Sequence, residues 1–274
     1  MAEQPVADSD RPTGWVEIDP TVPHQGRVYD YLAGGSAHFE VDRQLAEVQV
    51  AGYGGMEKAR RDIRVNRDFI GRVIRYLARE QDIRQFLDIG TGIPKEDDLH
   101  GVAQQTASDA RMVFVDEDDT VLAHAHQLMK STPEGVARFI KGNFYEPVDL
   151  IARAAESLDF TQPVALMLVA LLHMHSDDLH PFETVAKYVD ALPSGSYLAM
   201  SHLSTDIDPE ATEGLRRAAE GSGADYGFHL RSKEQFARFF EGLELVEPGI
   251  VPVSEWRAEL DFVAPFWSAV GRKP

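Results

Sequence analysis

The spacing of hydrophobic positions changes near residue 82. Before it, apolar residues recur at helical steps. In "GMEKARRDIRVNRDFIGRVIRYLARE" (55–80), Ile63, Ile70, Ile74 and Leu77 fall on one stripe, which predicts a long amphipathic helix. A shorter helix is predicted over "FEVDRQLAEVQVAG" (39–52). After residue 82, short apolar runs alternate with helical segments. The predicted strands are "RQFLDI", "RMVFVD", "ARFIKG", "VALMLVALL", "SYLAMSH", "LELVEPGIV" and "FWSAVGR". Helices are predicted at "KEDDLHGVAQQ", "DDTVLAHAHQLM", "VDLIARAAES", "PFETVAKYVDAL", "PEATEGLRRAAEG" and "SKEQFARFFEGL". This alternation predicts a doubly wound α/β sheet of seven strands, covered by helices on both faces. The last two strands follow closely, so an antiparallel hairpin is expected at the sheet's end. Residues 1–81 then form an N-terminal helical appendage and 82–274 the core.

Composition narrows the partners. The chain is 43% hydrophobic with ordinary Gly and Pro content, as in globular proteins, and carries a formal charge of −18. That acidity disfavours binding to a phosphate backbone, so no nucleic-acid partner is expected. With no cysteine, disulfides and thiolate metal sites are excluded, which is compatible with a reducing cytoplasm. The N-terminal "MAEQPVADSDRPTG" lacks the apolar segment of a signal peptide. The longest apolar run, 164–172, is too short to cross a bilayer. A cytoplasmic protein without a membrane partner is expected; oligomeric state is left open.

Candidate chemistry sits at the carboxyl ends of the strands, where doubly wound sheets bind ligands. "LDIGTGIP" is strand, tight turn, then helix, with Gly90 and Gly92 permitting a sharp turn and close approach of a ligand to main chain. Pro94 stands where a dinucleotide fingerprint has its third glycine. Glu96, Asp97 and Asp98 follow; they offset a helix dipole, and they also disfavour a pyrophosphate while suiting a cationic cofactor such as S-adenosyl-L-methionine. Asp116 ends "MVFVD", where an acid can accept both ribose hydroxyls, with Asp118 or Asp119 as helix cap. Asn143 either recognises an adenine edge or forms a turn.

These residues together resemble the class I S-adenosylmethionine-dependent methyltransferases over 82–274, with "LDIGTG", "VFVDED" and "VALLHMHSDD" as the corresponding motifs. The whole chain resembles an actinobacterial group, domain-of-unknown-function family 574, in "RVYDYLAGGSAH", "FLDIGTGIP", "LLHMHSDD" and "VGRKP". Ser36 and Ala37 depart from the Lys and Asp usual in that group, and Asn143 from its usual Asp. The resemblance implies a Rossmann-like fold and S-adenosyl-L-methionine as cofactor, bound by Gly90, Thr91, Gly92, Asp116, Glu117, Asn143, Phe144 and Tyr31. It implies methylation of an oxygen or nitrogen of a small molecule, with no metal needed.

His173, in "LHMHSDD", is the candidate base, since imidazole titrates near neutrality; the alternative is a packing or cofactor contact. His173, His175, Asp177, Asp178 and His180 match no strong metal-ligand spacing, and a loop with a helix cap is the favoured reading. "RVYDYLAGGSAHFEVD" (27–42) is expected to supply a lid, with Tyr29 and Tyr31 against the cofactor or docking the appendage on the core. Arg60, Arg64 and Arg67 share one helix side and suit either an anionic ligand or solvent. Two other classes stay open: a protein that binds or senses S-adenosylmethionine without turnover, and an NAD-dependent oxidoreductase.

Overall fold

The computed structural model describes residues 18–93, 99–121, 131–222 and 226–274. Pro94, Glu96, Asp97, Asp98 and most of the helix expected over 118–129 lie outside these. Five strands, β1 (Gln85–Ile89), β2 (Arg111–Asp116), β3 (Val136–Lys141), β4 (Ala165–Val169) and β5 (Tyr197–Leu203), pair in parallel. β8 (Phe266–Arg272) runs antiparallel along β5, from Leu203 opposite Phe266 to Tyr197 opposite Arg272. With β6 (Glu244–Leu245) and β7 (Val251–Pro252), the order is β3-β2-β1-β4-β5-β8-β6, with β7 also on β8, giving eight strands among the described residues. The expected strand "LELVEPGIV" divides into β6 and β7, each antiparallel to β8. Pro248 and Gly249 lie between them, the former without an N–H to pair and the latter at φ +83°.

Residues of β1, β4 and β5 are buried throughout, as expected of a sheet covered on both sides. Alternate side chains feed two cores. On one face Phe86, Met112, Phe114 and Met167 pack with Trp256 and with Phe69, Ile74 and Leu77 of α3 (Met56–Glu80). On the other, Leu87, Val113, Leu166 and Met200 pack with Leu150 of α5 (Pro147–Ala154), Tyr188 of α6 (Pro181–Ala191) and Phe236 of α8 (Lys233–Ala237). Helix α4 (Leu99–Thr106) follows β1. Each fully buried apolar side chain contributes about 1.5–3 kcal/mol.

The N-terminal region contains α1 (Gln25–Leu32), which hydropathy does not disclose, and α2 (Glu40–Tyr53). With the first turns of α3 they enclose a third cluster, Val28, Leu32, Leu45, Val50, Tyr53 and Ile63, closed by Ala211 of α7 (Pro209–Gly221). Its frame is ionic. The wholly buried Asp42 accepts from His24 N–H (2.8 Å), Phe39 N–H (2.8 Å) and Arg27 Nε–H (2.8 Å). Arg27 also donates to Val22 O. The Gly34-Gly35 pair closes α1 over its own acid. Gly34 sits at φ +78°, and a Cβ on Gly35 would lie 1.8 Å from Asp30 Oδ1. Asp30 then accepts from Ala37 N–H at 2.8 Å.

Helices α2 and α7 cross at two glycines: a Cβ on Gly214 would lie 2.0 Å from Gly52 O. Backbone on both sides leaves no flexible neighbour to yield. Gly214→Ala is therefore expected to destabilise by about 1–3 kcal/mol in urea unfolding. Gly221→Ala, on the same helix with nothing within 4 Å, should be neutral or stabilising by up to about 1 kcal/mol. Equal effects would refute the close crossing.

Candidate functional site

The turn after β1 is fastened to the end of β2. Gly90 N–H donates to Val115 O at 2.8 Å, and Gly92 N–H to Asp116 Oδ2 at 2.9 Å. Both glycines have positive φ, +74° and +67°. Their reasons differ. A Cβ on Gly90 would strike Leu171 at 2.5 Å, whereas Gly92 faces open space. Asp116 Oδ1 accepts from Asp118 N–H at 3.1 Å, so each carboxylate oxygen keeps acceptor capacity. Burial raises the pKa of Asp116, against the opposing effect of these two N–H groups. Asp118 caps Thr120 N–H at 2.8 Å, and His24 Nε2 approaches its other oxygen at 3.1 Å.

The segment after β4 turns at Ala170 (φ +56°) into a short 3-10 turn, Leu172–Met174. Arg231, 2% exposed, holds this segment from beneath. It donates to Leu172 O (2.7 Å), His175 O (2.9 Å), Asp177 Oδ1 (2.6 Å) and His202 Nε2 (2.6 Å). His173, His175 and His202 lie close to it. His202 is wholly buried and donates through Nδ1 to Leu203 O at 2.7 Å; burial and then Arg231 depress its pKa to about 3. Burial and Arg231 lower His175 to about 4. His173 is pushed well below its ordinary value by burial, then by His202 and Arg231. Its ring stacks on Phe228 at 5.9 Å, and Leu203 N–H approaches Nδ1 at 3.5 Å. In that tautomer Nε2 carries the proton.

A cavity of about 770 Å³ spans the carboxyl edge and the N-terminal helices. Gly90, Thr91, Gly92, Asp116, Glu117, Phe144 and His173 line it together. Asn143 and Tyr31 are not among its walls. Asn143 Oδ1 accepts from Tyr145 N–H at 2.8 Å, a turn-forming bond. Tyr31 packs 4.9 Å from the His38 ring, with the Arg60 guanidinium over it at 4.9 Å. Tyr29, two residues earlier on α1, does reach the cavity. The far wall is formed by Gln49, Tyr53, Asn66, Tyr226 and Phe228, and hydropathy alone gave no signal for Gln49, Asn66 or Arg231. Of the five residues weighed as metal ligands, Asp177 is taken by Arg231 and His180 is exposed. Among the described residues no group of three or more such side chains could hold a metal.

A family model described as S-adenosyl methyltransferase matches residues 12–272. The chain belongs to that family. Two solved structures extend the likeness. A duf574 family protein from Streptomyces avermitilis is 36% identical, with 94% of this chain and 100% of that chain covered and a TM-score of 0.88. A protein from Thermobifida fusca, solved as a candidate methyltransferase, is 35% identical, with 92% and 95% covered and a TM-score of 0.82. No curated protein matches. In this S-adenosyl methyltransferase family member the sheet is the mixed, mostly parallel one of the class I fold. No helix among the described residues is long and apolar enough to cross a membrane.

The depressed histidines bear on stability. Unfolded, each binds a proton near pH 6.5; folded, each resists it. Their contribution is complete above pH 6.5 and lost as the pH falls from there toward the folded values. Urea unfolding at pH 7, 6, 5 and 4 should show a decline of up to about 1.4 kcal/mol per pH unit for each histidine. His202→Asn should flatten it. A pH-independent stability from 7 to 4 would contradict the burial of these rings as neutral species.

Proposed function

We propose that the chain transfers the methyl group of S-adenosyl-L-methionine to a small molecule held in the same cavity. The observation that carries this reading is continuity: one enclosure joins Gly90–Gly92 and Asp116 to the aromatic wall of Tyr29, Tyr226 and Phe228. The residues fit the cofactor. Gly92 borders open space, Asp116 has free acceptor capacity for ribose hydroxyls, and Phe144 offers a buried aromatic face. The lining acids Asp116, Glu117 and Asp118 suit a cationic, phosphate-free cofactor better than a dinucleotide. When bound, S-adenosyl-L-methionine supplies an electrophilic methyl on sulfur.

The chain's own work is alignment, exclusion of water and care of a proton. Gly90, Thr91, Gly92, Asp116, Glu117 and Phe144 hold the cofactor. Asn143 sets the turn that presents Phe144, and Tyr31 steadies α1 behind Tyr29. Within the 1–81 region, residues 18–53 with α1 and α2 act as a helical lid, while the later turns of α3 belong to the core. His24 Nε2 meets Asp118 Oδ2 at 3.1 Å, and Gln25 Nε2 donates to Met174 Sδ at 2.8 Å, so the strap before α1 crosses the cavity mouth. His173 faces the acceptor. With Nδ1 free it takes the acceptor's proton there; with Nδ1 held by Leu203 N–H it donates from Nε2 to an acceptor that is already ionised. Burial beside Arg231 makes an imidazolium costly, which favours the second use.

Asp116→Asn preserves shape and removes the charge. Calorimetry with S-adenosylhomocysteine should show affinity reduced roughly 10–100-fold, the loss of hydrogen bonds to a charged group. Undiminished affinity would remove Asp116 from the site. Incubating the full chain with S-adenosylmethionine and a metabolite extract should generate S-adenosylhomocysteine. Tight cofactor binding without that product would support a sensing role, and preference for NAD would refute the assignment.

A further inference from the structure

Among the described residues, the lining of the cavity includes two permanent cations, Arg27 and Arg67. Arg27 is committed to Asp42 and to Val22 O. Arg67 is half-buried on α3 and has no hydrogen bond, ion pair or ring contact among the described residues. Its helix neighbours have other surroundings. Arg60 lies over the Tyr31 ring, Arg61 pairs with Asp62 at 3.0 Å, and Arg64 is exposed to solvent. Ile63, Arg67 and Ile70 follow one another at steps of four and three along one ridge of α3, and all three line the cavity. A guanidinium carries five donors in a fixed planar fork. Facing the cavity without a protein acceptor, it is available to a ligand, and a carboxylate matches the fork in a bidentate pair.

The charge of the lining is divided. Asp116, Glu117, Asp118 and Asp119 belong to β2 and the residues after it, whereas Arg67 stands on α3. Beside Arg67 the buried Asn66 is fixed by Ser201 Oγ–H at 2.6 Å. We infer that Arg67 is the anion site of this cavity and holds a carboxylate of the bound ligand. The inference rests on the methyltransferase reading of the cavity. The carboxylate has two sources there: the amino-acid end of the cofactor, or an acid group on the acceptor. The lining acids Asp19, Asp116, Glu117, Asp118 and Asp119 disfavour a doubly charged phosphate in either case.

Calorimetry on the full chain separates these sources. Wild type, Arg67→Gln and Arg67→Lys are titrated with S-adenosylhomocysteine and with 5′-methylthioadenosine, which lacks the amino-acid part. If the cofactor supplies the carboxylate, Arg67→Gln weakens S-adenosylhomocysteine at least tenfold and leaves 5′-methylthioadenosine within twofold, with partial recovery in Arg67→Lys. If the acceptor supplies it, S-adenosylhomocysteine affinity is unchanged. The protein loaded with it then binds benzoate, salicylate or indole-3-acetate at least tenfold tighter than the corresponding amides, a preference absent in Arg67→Gln. Both ligands binding wild type with neither effect in Arg67→Gln overturns the anion site alone. Failure of wild type to bind either adenosine ligand overturns the cofactor reading and the anion site with it. Unchanged melting of Arg67→Gln confirms that folding is not what was lost.

Discussion

The Arg231 guanidinium lies out of water beneath the carboxyl edge of the sheet, bonded to Leu172 O, His175 O, His202 Nε2 and Asp177. The course of the chain after β4 depends on this interaction. Such a burial costs several kcal/mol in desolvation and is recovered only when nearly every donor is satisfied. The segment therefore has one good arrangement, in which carbonyls point down at Arg231 and the His173, Met174 and His175 side chains line the cavity. Burial first, and the Arg231 charge in addition, disfavour protonation of His173 and His202.

Arg27 and Asp42 do the same for the N-terminal region. Asp42 gathers three donors from separate points, His24, Arg27 and Phe39, and so ties the entering strap, α1 and α2 into one unit. The cavity lies between these two buried hubs. Contacts across it are lighter: His24 with Asp118, and Gln25 with Met174. Rigid walls with a lightly fastened strap are what a site needs to admit a ligand and then exclude water.

The sheet was legible because its strands are apolar on both faces and its turns are glycine-rich. "RMVFVD" and "FWSAVGR" match β2 and β8 at both ends. Helix α1 was not, because its buried positions include Arg27 and Asp30, which a hydropathy pattern places outside. Tyr29 and Tyr31 illustrate the same gap. Two residues apart on a helix they point to different sides, one into the cavity and one onto His38 and Arg60. Without the helix, neither direction could be read. Arg60, Arg64 and Arg67 do share a face, yet a helix as long as α3 passes different neighbours along its length, so the three meet an aromatic ring, solvent and the cavity. Arg231 in "HLRSK" carried no signal in the sequence, since its acceptors, Leu172 O, His175 O, Asp177 and His202, are brought to it by the fold.

The chain belongs to the S-adenosyl methyltransferase family and has the class I sheet, and the walls of the cavity combine the strand ends of that sheet with the helices around them. The central claim is that cofactor and strap meet in one enclosure. Amide hydrogen exchange of the full chain, with and without S-adenosylhomocysteine, tests it most directly. Slowed exchange at residues 89–92, at 116–121 and in α1 is the expected result. Slowing confined to other parts of the chain, or none at saturating ligand, would contradict it.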